Sequence, residues 1–417
     1  MTTLLYHTSS RGTHPIRPFL AHHRIRKASM LQRVEPSRIN GLDTLRAAAI
    51  ALVLMYHYGV VVGGKEFGYL GKIGWIGVDL FFVLSGYLIG NQILQALAQR
   101  GEFSLKVFFA RRLLRTLPNY YVVLAAYFIF PAALGGASTA SLGRFLTFTQ
   151  NFGLKYGETF THSWSLCIEE QFYLILPVIC LVLTRFRSAV RLGWVVLAAA
   201  ALAAMTFRGL AWFNDGHNPF SAELYYSSFA RFDELLPGVA IAMLKNFHRE
   251  LFDRMLRKGN ALLVAGMAAT YLTLNGFEDK LASSFFMTTF GFSLVAISFS
   301  LLLLAALSPT SLLNRVRVPG AASLALWSYA IYMAHKPLFK VVAGWLASMN
   351  IDTHSPAGIA LIMLAGISGG WILYQLVETP FMRLRARWFP TNRVTATART
   401  IDGAGGADSV VAGATSN

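Results

Sequence analysis

The segment LDTLRAAAIALVLMYHYG carries Asp43 and Arg46 at one end and His57 near the other, on an otherwise largely apolar run. At 100° per residue, Arg46 and His57 lie about 20° apart around a helix, and Asp43 about 40° from His57. One polar stripe therefore runs along this helix, and such a stripe faces protein or water rather than lipid. Taken singly, Asp43 and Arg46 read as a snorkelling interfacial pair and His57 as a satisfied core histidine. Their shared face favours a site, in which a histidine at the deep end has the chemistry of a general base.

Further ionisable residues follow the same logic. In GWIGVDLFFVLSGYLIG, Asp79 falls about one turn inside the apolar run, where it is expected to orient a histidine such as His57; the nearby glycines read as helix packing. Ser165, Glu169 and Tyr173 recur every fourth residue and share a face, expected at the same outer depth as Asp79; Glu170 reads equally as a helix-start anion. Arg112 and Arg115 share a face just before Pro118, and guanidinium forks suit phosphates, although the plain reading is a charge cluster at a membrane edge. In LWSYAIYMAHKPLF, His335 lies one turn after Tyr332 and at the depth of His57, which suggests a shared polar cavity. Arg231, Asp233 and Glu234 read as a self-compensating structural network, and Glu378 as a partner for interfacial arginines.

These residues need a membrane to position them. Apolar residues make up 55% of the 417 positions and charged ones 14%, too apolar for a soluble fold. Stretches free of Asp, Glu, Lys and Arg run from Thr116 to Gly143, Leu281 to Asn314 and Thr353 to Val377. Each exceeds the roughly 20 residues that span a hydrocarbon core, and helices satisfy their own backbone there. The expected fold is an all-α integral membrane protein, a bundle of about ten transmembrane helices, at 43–62, 75–97, 117–136, 169–186, 191–208, 223–244, 260–276, 284–307, 321–346 and 357–378. With the amino terminus inside, 27 of the 37 Lys and Arg residues fall on the cytoplasmic side and six outside, so both termini are expected to be cytoplasmic. Arg208 is counted among the six outside.

The net charge of +17 thus belongs to inter-span segments and does not call for nucleic acid. Cys167 and Cys180, thirteen residues apart on one helix, are too distant to bridge, and no metal site is expected. Residues 1–38 read as a basic, disordered cytoplasmic arm without the apolar core of a secretory signal, 39–388 as the transmembrane domain, and 389–417 as a disordered tail. The loop 137–168 reads as a lid or a linker.

The strings LDTLRAAAIALVLMYH, GWIGVDLFFVLSGYLI, RRLLRTLP, HSWSLCIEEQFYLILP, ARFDELLPG, SYAIYMAHKPLF and LVETP occur in an order that resembles the acyltransferase-3 family of membrane O-acyltransferases, over roughly residues 38–388. The resemblance implies an inner-membrane, multi-pass enzyme that takes an acyl group, usually acetyl from cytoplasmic acetyl-CoA, to a hydroxyl of a glycan, lipid-linked glycan or small molecule. The family's first-helix histidine falls on His57, its Arg-x-x-Arg pair on Arg112 and Arg115, and its Trp-Ser-Leu-x-x-Glu motif on Trp164, Ser165, Leu166 and Glu169. Cys167 and the basic arm depart from the family pattern, and no esterase-like domain of the kind some relatives carry follows in this sequence.

On this reading His57, Glu169 and Asp79 are the catalytic candidates, Arg112, Arg115 and Arg46 hold the coenzyme A donor, and Trp164, Ser165, His335 and Tyr173 contact substrate. His57 acts either as general base or through an acyl-histidine, alternatives the sequence leaves open. A secondary transporter would also bury such residues, but no internal repeat is visible. A scaffold binding anionic lipid through its basic face is the third reading.

Overall fold

A computed structural model describes residues 39–99, 103–135, 140–214, 220–278 and 284–390. The basic arm and most of the tail lie outside the described residues.

Among the described residues the chain is helical and without strands. Its long helices are α1 (Asn40–Val61), α2 (Ile76–Ala98), α3 (Leu105–Ile129), α4 (Trp164–Leu183), α5 (Ala189–Asn214), α6 (Leu236–Phe247), α7 (Gly259–Glu278), α8 (Phe285–Leu307), α9 (Ala321–Ser348) and α10 (Pro356–Leu373). Helix α10 runs on through a π-turn at Tyr374–Glu378 into α11 (Thr379–Trp388). Several starts are written locally. Ser104, Ser284 and Ser355 each accept a hydrogen bond from the backbone N–H three residues on, and Pro356 fills a first-turn position that needs no donor. Six helical stretches are long and apolar enough to cross a membrane: α1, α2, Thr161–Leu183, α5, α8 and Pro356–Trp388. The four other expected spans correspond to α3, α6, α7 and α9, which are shorter or more polar.

Three expectations change. Helix α3 does not begin near Pro118 but runs through it, so Arg111, Arg112 and Arg115 stand on the same helix as the apolar span. Side chains on both sides of the proline tie the helix to its neighbours: Thr116 donates to Glu170 at 2.9 Å and Asn119 to Glu378 at 2.9 Å. The expected span at 223–244 is broken into short turns, Ala222–Tyr225, Ser228–Arg231 and Phe232–Leu235, before α6. A continuous helix would spread Arg231, Asp233 and Glu234 around its circumference and turn some toward lipid; the break turns all three inward. Arg208, expected in an outside connection, is fully buried on α5. Its guanidinium grips Asp233 through two bonds of 2.8 and 3.0 Å and donates to Ser293 at 2.6 Å. That geometry satisfies the charge without water.

Glycine permits the closest crossings. A Cβ on Gly86 of α2 would stand 2.0 Å from the Leu235 carbonyl oxygen, and one on Gly238 of α6 2.1 Å from that of Val83. On α10, a Cβ on Gly370 would lie 2.5 Å from the Ile331 Cα, so α10 presses directly on the turn of α9 that carries His335.

Candidate active site

Three histidines from three elements meet inside the bundle. Nε2 of His335 on α9 lies 2.9 Å from Nδ1 of His57 on α1, and the His162 ring, from the turn before α4, lies 5.4 Å from that of His335 and 6.2 Å from that of His57. Carbonyl partners set the tautomers. Nδ1 of His335 is 3.0 Å from the Ile331 carbonyl oxygen, which only accepts, so Nδ1 carries the proton and Nε2 of the neutral ring carries a lone pair. His57 must then donate from Nδ1, which leaves its own Nε2 unprotonated, the form a general base needs.

A proline places the third ring. Pro337 sits inside α9 without an N–H, so the Met333 carbonyl four residues earlier lacks its helical donor. His162 supplies one, with Nε2 at 3.3 Å. Among the described residues, its Nδ1 is buried without a partner. The loop that delivers His162 is pinned rather than loose. Gln150 donates to Tyr120 at 3.1 Å and to Ser163 at 3.0 Å, Asn151 to Ser228 at 2.8 Å, and Gln171 to the Phe148 carbonyl at 2.8 Å. Phe160 takes a left-handed backbone (φ 54°) two residues before His162, with its ring stacked on Tyr127 at 5.0 Å. Such a conformation costs an L-residue about 1–2 kcal/mol, offset here by burial of the aromatic side chain.

His57 and His162 line a cavity of about 340 Å³, together with Tyr56, Val78, Tyr156, Glu158, Trp164, Tyr225, Tyr226, Lys336 and Lys340. A second cavity, of about 560 Å³, is lined by Arg46, Arg111, Arg112, Arg115 and Arg385 and by Ser85, Ser165, Glu169, Tyr173 and Tyr332. Val78 belongs to both walls, and the chain neighbours Trp164 and Ser165 face one cavity each. Tyr332 braces this partition, donating to the His162 carbonyl at 2.6 Å while 2.8 Å from the Ser165 hydroxyl.

In the arginine cavity, the Arg112 guanidinium lies 4.0 Å from the Tyr173 ring centroid and its Nη2 3.8 Å from Glu170. Among the described residues, Nε of Arg112 and Nε of Arg385 are buried without partners. Five arginines line this cavity against one carboxylate, Glu169, and guanidinium groups so gathered fit phosphate groups. Arg46 stands at this cavity and His57 at the other, eleven residues and about 16 Å apart on α1.

Two expected partners of His57 lie elsewhere. Asp79 is fully buried, with Oδ1 2.7 Å from Nη2 of Arg231, and lines neither cavity. Arg231 also pairs with Glu234, and its guanidinium packs 3.8 Å from the Phe292 ring centroid and 5.2 Å from that of Trp164. Glu169 accepts from Ser85 at 2.6 Å on the arginine side. Periodicity put Glu169 on one face with Ser165 and Tyr173, which line the same cavity, but the partner of a buried charge is whatever the neighbouring helix presents. Of the remaining candidates, Trp164 borders the histidine cavity and Ser165 and Tyr173 the arginine cavity, while His335, fully buried, touches His57 and lines neither. His162, Lys336 and Arg385 were not singled out from sequence. For His162 the signal was its place directly before the Trp-Ser-Leu string; Arg385 reaches the site only because the π-turn carries α10 into α11.

Comparison with known proteins identifies the family. A family model described as an acyltransferase domain matches residues 39–375, and the chain belongs to that acyltransferase-3 family. It is 29% identical over 369 residues to a peptidoglycan O-acetyltransferase of Listeria monocytogenes, covering 83% of this chain and 56% of that protein. It is 26% identical to a putative O-acetyltransferase of Staphylococcus aureus (83% and 57% covered) and 29% identical to a putative peptidoglycan O-acetyltransferase of Bacillus subtilis (72% and 48%). The chain thus spans about half the length of the curated relatives it matches. No solved structure matches it.

Proposed function

We propose that this chain is a membrane O-acyltransferase domain that moves an acyl group, acetyl by analogy with its relatives, from cytoplasmic acyl-CoA to a hydroxyl of an extracytoplasmic glycan of the peptidoglycan class. The accompanying topology is ten spans in the cytoplasmic membrane with both termini inside, the arginine cavity opening inward and the histidine cavity outward. One observation carries the reading: an anion-seeking cavity and a base-bearing cavity lie back to back, separated by little more than Val78, the Trp164–Ser165 pair and Tyr332.

Arg112, Arg115 and Arg46, joined by Arg111 and Arg385, hold the donor phosphates, and the thioester end of the pantetheine arm reaches the partition. Nε2 of His57 takes the proton of the acceptor hydroxyl as its oxygen attacks the thioester carbonyl. The carbon–sulfur bond breaks, and the thiolate that leaves recovers that proton from His57. His335 accepts from Nδ1–H throughout, which stabilises the imidazolium as it forms. Tyr173 and Trp164 wall the two sides, and Ser165 and Glu169 position groups on the donor side.

Purified protein incubated with acetyl-CoA and peptidoglycan glycan strands tests this directly. Acceptor-dependent release of free coenzyme A, with acetyl ester on the strands by mass spectrometry, is the expected result. Solute uptake into proteoliposomes without thioester cleavage would establish the transporter instead.

A further inference from the structure

Lys336 and Lys340 stand one turn apart on α9 and both line the histidine cavity. Lys336 is half-buried, next in sequence to His335, and Lys340 is exposed at the rim. The Lys340 ammonium lies against the backbone of Gly135, where a Cβ would stand 2.0 Å from Nζ. Among the described residues neither lysine forms an ion pair; the one carboxylate on the cavity wall, Glu158, bonds to neither. Three of the inward-facing arginines are matched by carboxylates, Arg208 with Asp233, Arg231 with Asp79 and Glu234, and Arg112 with Glu170; the two lysines are not. An unmatched pair facing the cavity of the base therefore calls for an anion from outside the chain. His162 lines the same cavity.

We propose that the histidine cavity recognises an acceptor carrying an anionic group, a carboxylate or phosphate, near its reacting hydroxyl. Lys336 and Lys340 bind the anion. The inference rests on the reading of His57 as the base in this cavity. It narrows the acceptor to a glycan whose anionic group is free beside the reacting hydroxyl.

The probes are peptidoglycan strands freed of peptide, so that their lactyl carboxylates are exposed, and the same strands after methyl esterification. Transfer from acetyl-CoA is measured in phosphatidylcholine vesicles with and without phosphatidylglycerol. The wild type is expected to favour the carboxylate strands in kcat/KM by about tenfold, and Lys336→Met and Lys340→Met to bring that ratio toward one in both vesicle types, with Lys336→Arg restoring it. A wild-type ratio near one, or a ratio that both Met variants leave intact, overturns the proposal. So does a loss that is equal for both strands and confined to phosphatidylglycerol vesicles, which assigns the lysines to lipid headgroups. Transfer to neither strand by the wild type overturns the acyl-transfer reading itself, and this one with it.

Discussion

Nε2 of His335 accepts from Nδ1 of His57 at 2.9 Å, joining α9 to α1 through two neutral imidazoles rather than an imidazole and a carboxylate. A neutral acceptor orients the base and stabilises its charged form less than a carboxylate would. It also adds no buried net charge to a cavity already bordered by lysines.

Replacement of His57 by Ala is expected to lower kcat about 10³-fold. His335→Leu removes only the orienting acceptor and should lower kcat about 10- to 100-fold with little change in the acetyl-CoA KM. His335→Gln, whose side-chain oxygen can accept from His57, should recover part of the loss. Initial rates of coenzyme A release across an acetyl-CoA titration check all three, and equal rates for the Leu and Gln variants would remove the orienting role.

Arg112→Ala and Arg115→Ala should each raise the acetyl-CoA KM about tenfold, the value of one lost charge-assisted bond of roughly 1.5–3 kcal/mol partly replaced by water. Arg385→Ala should act in the same direction, although Arg385 lies some 270 positions further along the chain on α11. Donor titration at saturating acceptor measures this; an unaltered KM in all three would remove the phosphate clamp.

Asp79 and Arg231 are expected to behave as a structural pair. Breaking a fully buried ion pair by removing one partner costs about 3–5 kcal/mol, so Asp79→Ala should lower the unfolding midpoint strongly. Asp79→Asn, which keeps an acceptor for Arg231, should lower it less. Thermal unfolding in detergent separates this from catalysis: a normal midpoint with abolished transfer would return Asp79 to the active site.

Pro337→Ala supplies an N–H that competes for the Met333 carbonyl, the anchor of His162. Proline inside a helix costs about 3 kcal/mol, so the variant should be at least as stable as wild type. Its acceptor KM should rise severalfold while the donor KM holds. An acceptor KM unchanged in a variant of raised stability would show that the anchor does not matter.

Much of the site was legible because helices obey a period. The stripe from Arg46 to His57, the shared face of Ser165, Glu169 and Tyr173, and the common depth of His57 and His335 all follow from 100° and 1.5 Å per residue, and the rings at His57 and His335 do meet. Asp79 marks where this reasoning stops. Its depth followed from α2 alone, but its partner stands on a segment whose helix is broken at Arg231, 152 positions away.

The sequence by itself determined an all-helical membrane chain, its family, and the helix faces on which His57, Arg112 and Arg115 stand, because apolar length and periodicity are local properties. Tertiary structure alone decided which buried groups bond. Asp79 went to Arg231, Glu169 to Ser85 and Arg208 to Asp233, while His162 was carried beside His57 and His335 by a pinned loop. Buried charges and lone pairs must find partners at about 3 Å, and which partner lies that close depends on how helices distant in sequence pack together.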